Sequence, residues 1–450
     1  MSFPRYAKYK DSGVEWLGEV PEHWAVCALS YRYDVQLGKM LDEKRITGDH
    51  LGPYLRNVDV QWGRINSDEL PEMDFREEDL VRYSLKTGDL LVCEGGEVGR
   101  AAVWRGEREP CFYQKALHRL RAANPSRDTA EFAFYLMAAA SALGLFAQGE
   151  AKTTIAHLPA EALRRYCLPF PPLAHQHAIV GFLDRETAKI DALVTEQERL
   201  IGLLKEKRQA VISHAVTKGL DPRAPMKDSG VEWLGEVPAH WNVASVGYRY
   251  EVQLGRMLNE DRSTGENMRR YLRVFDVQWH TINVEDLPSM DFPPEAQARY
   301  KLLPGDLLVN EGGSYVGRSA IWRGEIEECY YQKALHRLRP LTASDTAEFL
   351  LNVMEMATHS GVFVAAGNQT TIDHLTAEQL RAHRFAFPPV EEQRQIVKAL
   401  KKYLEKLRML LAEAEAGTVI LKERRSALIS AAVTGKIDVR GLVAAEAEAA

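Results

Sequence analysis

The chain states almost the same sequence twice. KDSGVEWLGEVPEHW begins at Lys10 and KDSGVEWLGEVPAHW at Lys227, a displacement of 227 − 10 = 217 residues. A fixed period of this length constrains the architecture more than any local propensity does. The register holds well past the opening: Tyr31-Arg32-Tyr33 answers Tyr248-Arg249-Tyr250, and Asp59-Val60-Gln61-Trp62 answers Asp276-Val277-Gln278-Trp279. One inserted residue near Ser314-Tyr315 moves the displacement to 218, so YQKALHRLR at Tyr113 recurs at Tyr331. A deletion then restores 217, and Thr153-Thr154-Ile155 matches Thr370-Thr371-Ile372. The 450 residues alone suggest about three domains, but the duplication favours two equivalent units.

Each unit reads as a mixed globular part followed by a long helix. Strands are expected around Tyr31–Leu37, Asp89–Cys93 and Tyr113–Arg121, with Gly-rich turns such as Glu94-Gly95-Gly96 between them. Pro169, Phe170, Pro171 and Pro172 close the first globular part, and Phe387, Pro388 and Pro389 close the second. Proline opens a helix readily but is costly inside one, so a helix should begin just beyond each cluster. Leu183, Ile190, Gln197, Leu204 and Val211 then recur every seven residues, with Leu193, Leu200 and Ile201 widening the stripe. Leu400, Leu407, Ala414, Leu421 and Leu428 keep the same period in the second copy. About four heptads support a coiled coil. A helix from about Pro172 to Val216 would run on the order of 65 Å, too long for one globular part to cover. Packing of the two helices against each other, antiparallel about a pseudo-two-fold axis, is the economical solution.

Composition excludes more than it identifies. The five cysteines, Cys27, Cys93, Cys111, Cys167 and Cys329, are odd in number and scattered, and only Cys111 and Cys329 correspond between the copies. That argues for reduced thiols in a cytoplasm and against a disulfide framework or a zinc site. MSFPRYAKYK has no apolar signal region, and no run of about eighteen apolar residues occurs, so a soluble cytoplasmic protein with no membrane partner is expected. The formal charge of −6 lowers the expectation of nucleic-acid binding only modestly, because net charge averages over faces of different sign.

The ordered motifs carry a resemblance. SGVEWLGEVPEHW, the PP-x-x-x-Q-x-x-I pattern from Pro171 to Ile179 and again from Pro388 to Ile396, and the helix endings AVTKGLD (Ala215 to Asp221) and AVTGKID (Ala432 to Asp438) resemble the specificity subunit of Type I restriction-modification enzymes. The resemblance covers nearly the whole chain. His175 departs from it, since the family, like Glu392 in the second copy, usually has glutamate there. The resemblance implies an α+β fold of two target-recognition domains, each reading half of a split double-stranded DNA site. Two coiled-coil helices separate them and dock two methyltransferase subunits, with restriction (motor and nuclease) subunits as further partners. The corresponding divisions are 1–170 and 223–387 for the recognition domains, 171–222 and 388–440 for the helices, and 441–450 for a tail.

No NPPY or DPPY tetrapeptide for amino-methylation and no GxxxxGK[ST] loop for ATP occurs, so a non-catalytic chain with no cofactor is expected. Glu94–Arg100 and Glu311–Arg318 lack the Lys and Ser/Thr of a phosphate loop. A plain tight turn and a backbone-amide contact to phosphate, with Arg100 and Arg318 alongside, both stay open. Read as a strand, Tyr113, Lys115, Leu117, Arg119 and Arg121 share one face, repeated by Tyr331, Lys333, Leu335, Arg337 and Arg339. Such a face either meets phosphates or is simply solvated. His118 and His336 fall opposite and read as packed side chains. Base-reading candidates on loops are Lys39, Gln61, Thr153 and Thr154 in the first copy, and Arg256, Gln278, Thr370 and Thr371 in the second. A solvated loop is equally open for these. The copies differ where Asn57-Val58 becomes Val274-Phe275 and Gly63-Arg64 becomes His280-Thr281. Two other functions are kept open: a pseudo-symmetric coiled-coil scaffold that binds proteins without reading DNA, and an enzyme whose motif is unfamiliar.

Overall fold

The computed structural model describes residues 3–40, 47–147, 157–257, 265–363 and 374–442. Each copy builds a four-stranded antiparallel sheet from four short segments. In the first these are β1 (Tyr33–Leu37), β2 (Leu90–Cys93), β3 (Ala101–Val103) and β4 (Leu117–Ala122), in the order β3-β2-β4-β1. In the second they are β5 (Tyr250–Leu254), β6 (Leu307–Asn310), β7 (Ser319–Ile321) and β8 (Leu335–Pro340), in the equivalent order β7-β6-β8-β5. Strand β2 is an unbroken apolar run, as a strand covered on both faces must be. Leu90 and Val92 join one core, with Tyr33, Val35 and Leu120, while Leu91 and Cys93 join the other, with Leu55, Trp104 and Leu117. The first core continues onto helix α1 (Ala130–Ala142) through Phe132 and Leu136; in the second copy, Phe349 and Val353 of α3 (Ala347–His359) serve the same purpose.

Two long helices follow the proline clusters: α2 (Leu173–Lys218, 46 residues) and α4 (Val390–Val433, 44 residues). The chain divides into two compact units, one of residues up to 198 with those from 416 onward, the other of residues 199–415. Within the first unit, Ile179, Leu183 and Ile190 of α2 share a core with Leu428, Ile429 and Val433 of α4. Within the second, Ile212 and Val216 of α2 share one with Ile396 and Leu400 of α4. In each unit, therefore, one end of one helix meets the opposite end of the other, an antiparallel pairing. Leu400, Leu407, Ala414 and Leu428 are all buried, as the seven-residue period requires. The expected widening of the stripe is corrected: Leu193 is 54% and Leu200 42% exposed. At ~100° per residue they lie roughly 80–100° around the helix from Leu183, outside the seam.

The motif glutamine explains how each helix is seated. Gln176 is fully buried; its Nε2 donates to the carbonyls of Arg127 and Pro171 and to Asp128, and its Oε1 accepts the Thr129 amide. Gln393 repeats this with Ser344, Pro388, Asp345 and Thr346. One side chain thus satisfies backbone groups on the loop before α1 or α3 and at the start of the long helix, groups that would be costly to bury unpaired. Asp128 and Asp345 are in turn held by Arg32 at 2.5 Å and Arg249 at 2.7 Å. This accounts for the repeated Tyr-Arg-Tyr: the arginine binds the aspartate, and Tyr33 and Tyr250 donate to the Thr129 and Thr346 carbonyls.

Candidate nucleic-acid interface

The segment from Tyr113 to Arg121 is not one strand. It is a two-residue strand, Phe112–Tyr113, a turn, and then β4. Ala116 and its equivalent Ala334 turn the chain with φ of 97° and 82°, a region that L-residues rarely occupy, and periodicity gives no sign of it. Gly38 and Gly255 let a neighbouring strand end press against this turn, because a Cβ at either would strike the carbonyl of Gln114 or Gln332.

The expected basic face is corrected with it. Arg119 and Arg337 are only 4% and 3% exposed, the first paired with Asp34 at 2.5 Å, the second with Glu251 at 2.8 Å. Arg121 and Arg339 pair with the buried Asp89 and Asp306. These cations neutralise carboxylates brought from other strands and are not displayed. Lys115 and Lys333, at the turn itself, are exposed; their amides donate to the Lys39 and Arg256 carbonyls, and their side chains make no ion pair or hydrogen bond among the described residues. His118 and His336 are fully buried, with Nε2 2.8 Å and 2.7 Å from the Leu158 and Leu375 carbonyls; burial pushes their pKa values down and keeps the rings neutral.

Around the Lys115 turn the structure gathers three loops. Asn57 Nδ2 donates to the Gly95 carbonyl at 3.1 Å and the Ala116 carbonyl at 3.3 Å, while Arg100 Nη2 donates to Asn57 Oδ1 at 2.9 Å. One amide therefore joins the Asn57 loop, the Gly-rich loop and the Lys115 turn. The second copy has Val274 in place of Asn57, and the amide comes from Asn310, where the first copy has Cys93. Asn310 Nδ2 donates to the carbonyls of Val274 and Val277, both at 3.1 Å. Arg318, without an asparagine to hold it, donates to Gln278 Oε1 and stacks 4.7 Å above the Tyr315 ring. Sequence reasoning singled out Arg100 and Arg318 and noted Asn57 only as a difference between the copies; it missed Asn310. The change from Asn57-Val58 to Val274-Phe275 was the available signal.

The remaining candidates fall at the edges of these clusters. Gln61 and Gln278 donate to the Val58 and Phe275 carbonyls and so brace their own loops. Val58 and Phe275 are 61% and 53% exposed, an apolar surface beside the polar groups. Lys39 is not free, since its Nζ donates to Asp79 at 2.6 Å and the Asp74 carbonyl at 2.5 Å. Arg256 lies 5.6 Å from the Phe292 ring centroid. Thr153, Thr154, Thr370 and Thr371 lie outside the described residues. Among the described residues, no group of three or more His, Cys, Asp or Glu is placed to hold a metal ion, and no helix is long and apolar enough to cross a membrane.

Comparison with known proteins bears on the family and the fold. The family model for the Type I restriction modification DNA specificity domain matches twice, over residues 75–200 and 290–414. The Type I restriction enzyme EcoBI specificity subunit of Escherichia coli is 23% identical over 78% of this chain and 72% of its own length. The putative type I restriction enzyme MjaX specificity subunit of Methanocaldococcus jannaschii is 21% identical over 94% of this chain and 96% of its own. The HsdS subunit of Thermoanaerobacter tengcongensis has a similar fold, with a TM-score of 0.53 at 15% identity over 92% of this chain and 98% of that one. A chain from a structure addressing assembly and conformational transition of a type I R-M system is closer in fold, with a TM-score of 0.70 at 16% identity over the same shares. The chain belongs to the Type I restriction modification DNA specificity domain family and carries that domain twice.

Proposed function

We propose that this chain reads a bipartite, near-palindromic double-stranded DNA target and positions two methyltransferase subunits, with restriction subunits, without performing a reaction itself. The observation that carries the reading is the duplicated loop cluster: the same turn at Ala116 and Ala334, packed against Gly38 and Gly255, displays Lys115 and Lys333, and the side chains that differ, Asn57 against Val274 and Gly63 against His280, stand on the loops around it. Similar domains reading the duplex in opposite orientations call for inverted half-sites, with centres roughly one helical turn, about 34–36 Å, apart. The loop differences make the target a near-palindrome. The divisions at residues 170, 222, 387 and 440 are part of the same reading.

Exposed apolar residues on the long helices support two like partners. The first unit displays Leu193 of α2 and Ile420 of α4, and the second displays their equivalents Leu410 of α4 and Leu203 of α2, all at least 40% exposed. A duplicated exposed apolar pair suits a protein contact better than isolated drift.

A chimera carrying the first recognition domain in both positions should move the target to a true palindrome with unchanged spacing, read by mapping methylated sites in assembled complexes. Half-sites unrelated by inversion would refute the two-fold arrangement. Binding that fails to weaken as salt rises would favour the protein-only scaffold, since phosphate contacts release counterions.

A further inference from the structure

In the second unit a buried carboxylate ties three elements together by charge, at a place where the first unit has an alanine, Ala138. Glu355, on α3, has a side-chain exposure of 0%. It forms an ion pair with Arg208 Nη1 of α2 at 2.5 Å and a hydrogen bond at 2.7 Å with His280 Nε2, from the turn between Val277–Gln278 and Thr281–Ile282. A carboxylate this deeply buried is unfavourable without such partners. The first copy has the arginine, since Arg425 stands where Arg208 does (208 + 217 = 425), but Ala138 replaces Glu355 and Gly63 replaces His280. Arg425 pairs instead with Asp191, on α2, at 2.8 Å.

The backbone at the turn makes the difference pointed. Gly63 has φ 69°, where glycine is unstrained; His280 keeps φ 63° at the same place, a conformation rarely adopted by residues with side chains. Strain retained at a position where glycine would relieve it points to a side chain in use. His280 is also two residues beyond Gln278, which accepts from Arg318 in the loop cluster.

We infer that Glu355 is a positioning residue: it fastens the His280 turn to α2, so that the second recognition domain presents its loop cluster at one fixed angle to its own helices. This rests on the reading of the chain as a split-site DNA reader and names what holds the second half of that reading in place. The first domain has a lighter link at the corresponding cleft, where Tyr135 donates to Asp184 at 2.6 Å.

The test uses the full chain, alone and assembled with methyltransferase subunits. H280G installs the first copy's residue and removes strain, so folding is preserved; E355A removes the anchor itself. In the free chain, amide exchange over residues 277–282 should quicken about tenfold in H280G, and residues 60–65 should keep their rate. In the reverse direction, G63H with A138E completes the trio around Arg425 and should slow exchange over 60–65. In the assembled complex, methylation of a duplex with one base pair added to or removed from the spacer should fall about tenfold for the unaltered chain but no more than about threefold for H280G and E355A. Base changes in the first half-site should be discriminated equally by all three. Unchanged exchange at 277–282 overturns the tether. Faster exchange with an unaltered spacer dependence overturns its positioning role. If the unaltered complex binds no split duplex, the DNA-reading function fails, and this inference with it.

Discussion

At the cleft between recognition domain and helix, the first unit relies on a neutral hydroxyl, Tyr135, donating to Asp184, whereas the second places Asn352 and Lys401 at those positions and relies on the ionic trio of Glu355, Arg208 and His280. A few residues away the two nearly coincide: Gln176 and Gln393 bond the same backbone groups, and Arg32 and Arg249 hold the corresponding aspartates. The contrast separates two kinds of polar contact. Those that satisfy backbone groups at helix starts are kept, because every alternative leaves a buried amide or carbonyl unpaired. Pairs between side chains go both ways: Arg32–Asp128 and Arg121–Asp89 recur as Arg249–Asp345 and Arg339–Asp306, whereas at the cleft one pairing is exchanged for another.

The comparison can be broken most severely at the helix seam. Ile190 and Leu407 are equivalent and almost equally buried, at 6% and 5% exposure. Ile190→Asp and Leu407→Asp should each cost about 4 kcal/mol, since a carboxylate without a cation enters an apolar seam. Thermal melts followed by circular dichroism should show matched losses, and partner binding should fail in both. A tolerant Leu407→Asp would remove that residue from the seam.

The next largest effect tests whether the seats of the two helices are equal. Gln176→Ala and Gln393→Ala should each destabilise by about 3 kcal/mol, leaving several buried backbone groups unpaired. Chemical denaturation should give the two variants midpoints within error of each other.

A smaller effect should sharpen a known inequality. Glu392 accepts His240 Nε2 at 2.7 Å and Trp241 Nε1 at 3.1 Å, whereas its counterpart His175 stands 3.3 Å from His23 and leaves the buried Trp24 Nε1 without a partner among the described residues. H175E should therefore stabilise the first unit by about 1 kcal/mol. It should also change the pH response. Burial, and then the Arg440 guanidinium, hold the pKa values of His23 and His175 below the ordinary 6.5, so the folded chain disfavours their protonation. Stability is full above about pH 6.5 and is lost as pH falls through the lowered folded values. Denaturation midpoints from pH 7 to 5 should decline less in H175E.

The smallest effect on stability concerns the exposed lysines. Lys115→Ala and Lys333→Ala should leave melting unchanged within about 0.5 kcal/mol, yet each should reduce the salt dependence of DNA binding by about one counterion. Arg119→Ala, by contrast, should destabilise by about 2 kcal/mol, because Asp34 and the Arg82 carbonyl lose their donor.

The duplication, the long helices and their seam were legible because they are periodic, and period survives in sequence. The sheet was legible in part: β2 announces itself as an apolar run, whereas the break at Ala116 does not, since nothing in YQKALHRLR requires a positive φ. Arg119 looked displayed because alternation assigns a face but not what covers it. Its carboxylate, Asp34, is 85 residues away. Asn310 escaped, and Asn57 showed only as a difference between copies, because what each holds is a carbonyl distant in sequence, which no spacing encodes.

The displaced amide bears on how such a protein can acquire a new target. Grafting the Asn57 loop into the second copy would set two carboxamides around one cluster, and the reverse graft would face Val274 with Cys93 and provide none. Exchange of single loops between copies therefore disrupts the cluster, whereas exchange from before Asn57 to beyond Ala116 carries the amide and its acceptors together. Recombination that creates working hybrids should have its crossovers outside that interval, so that the segment from Asn57 to its acceptors is inherited as one block.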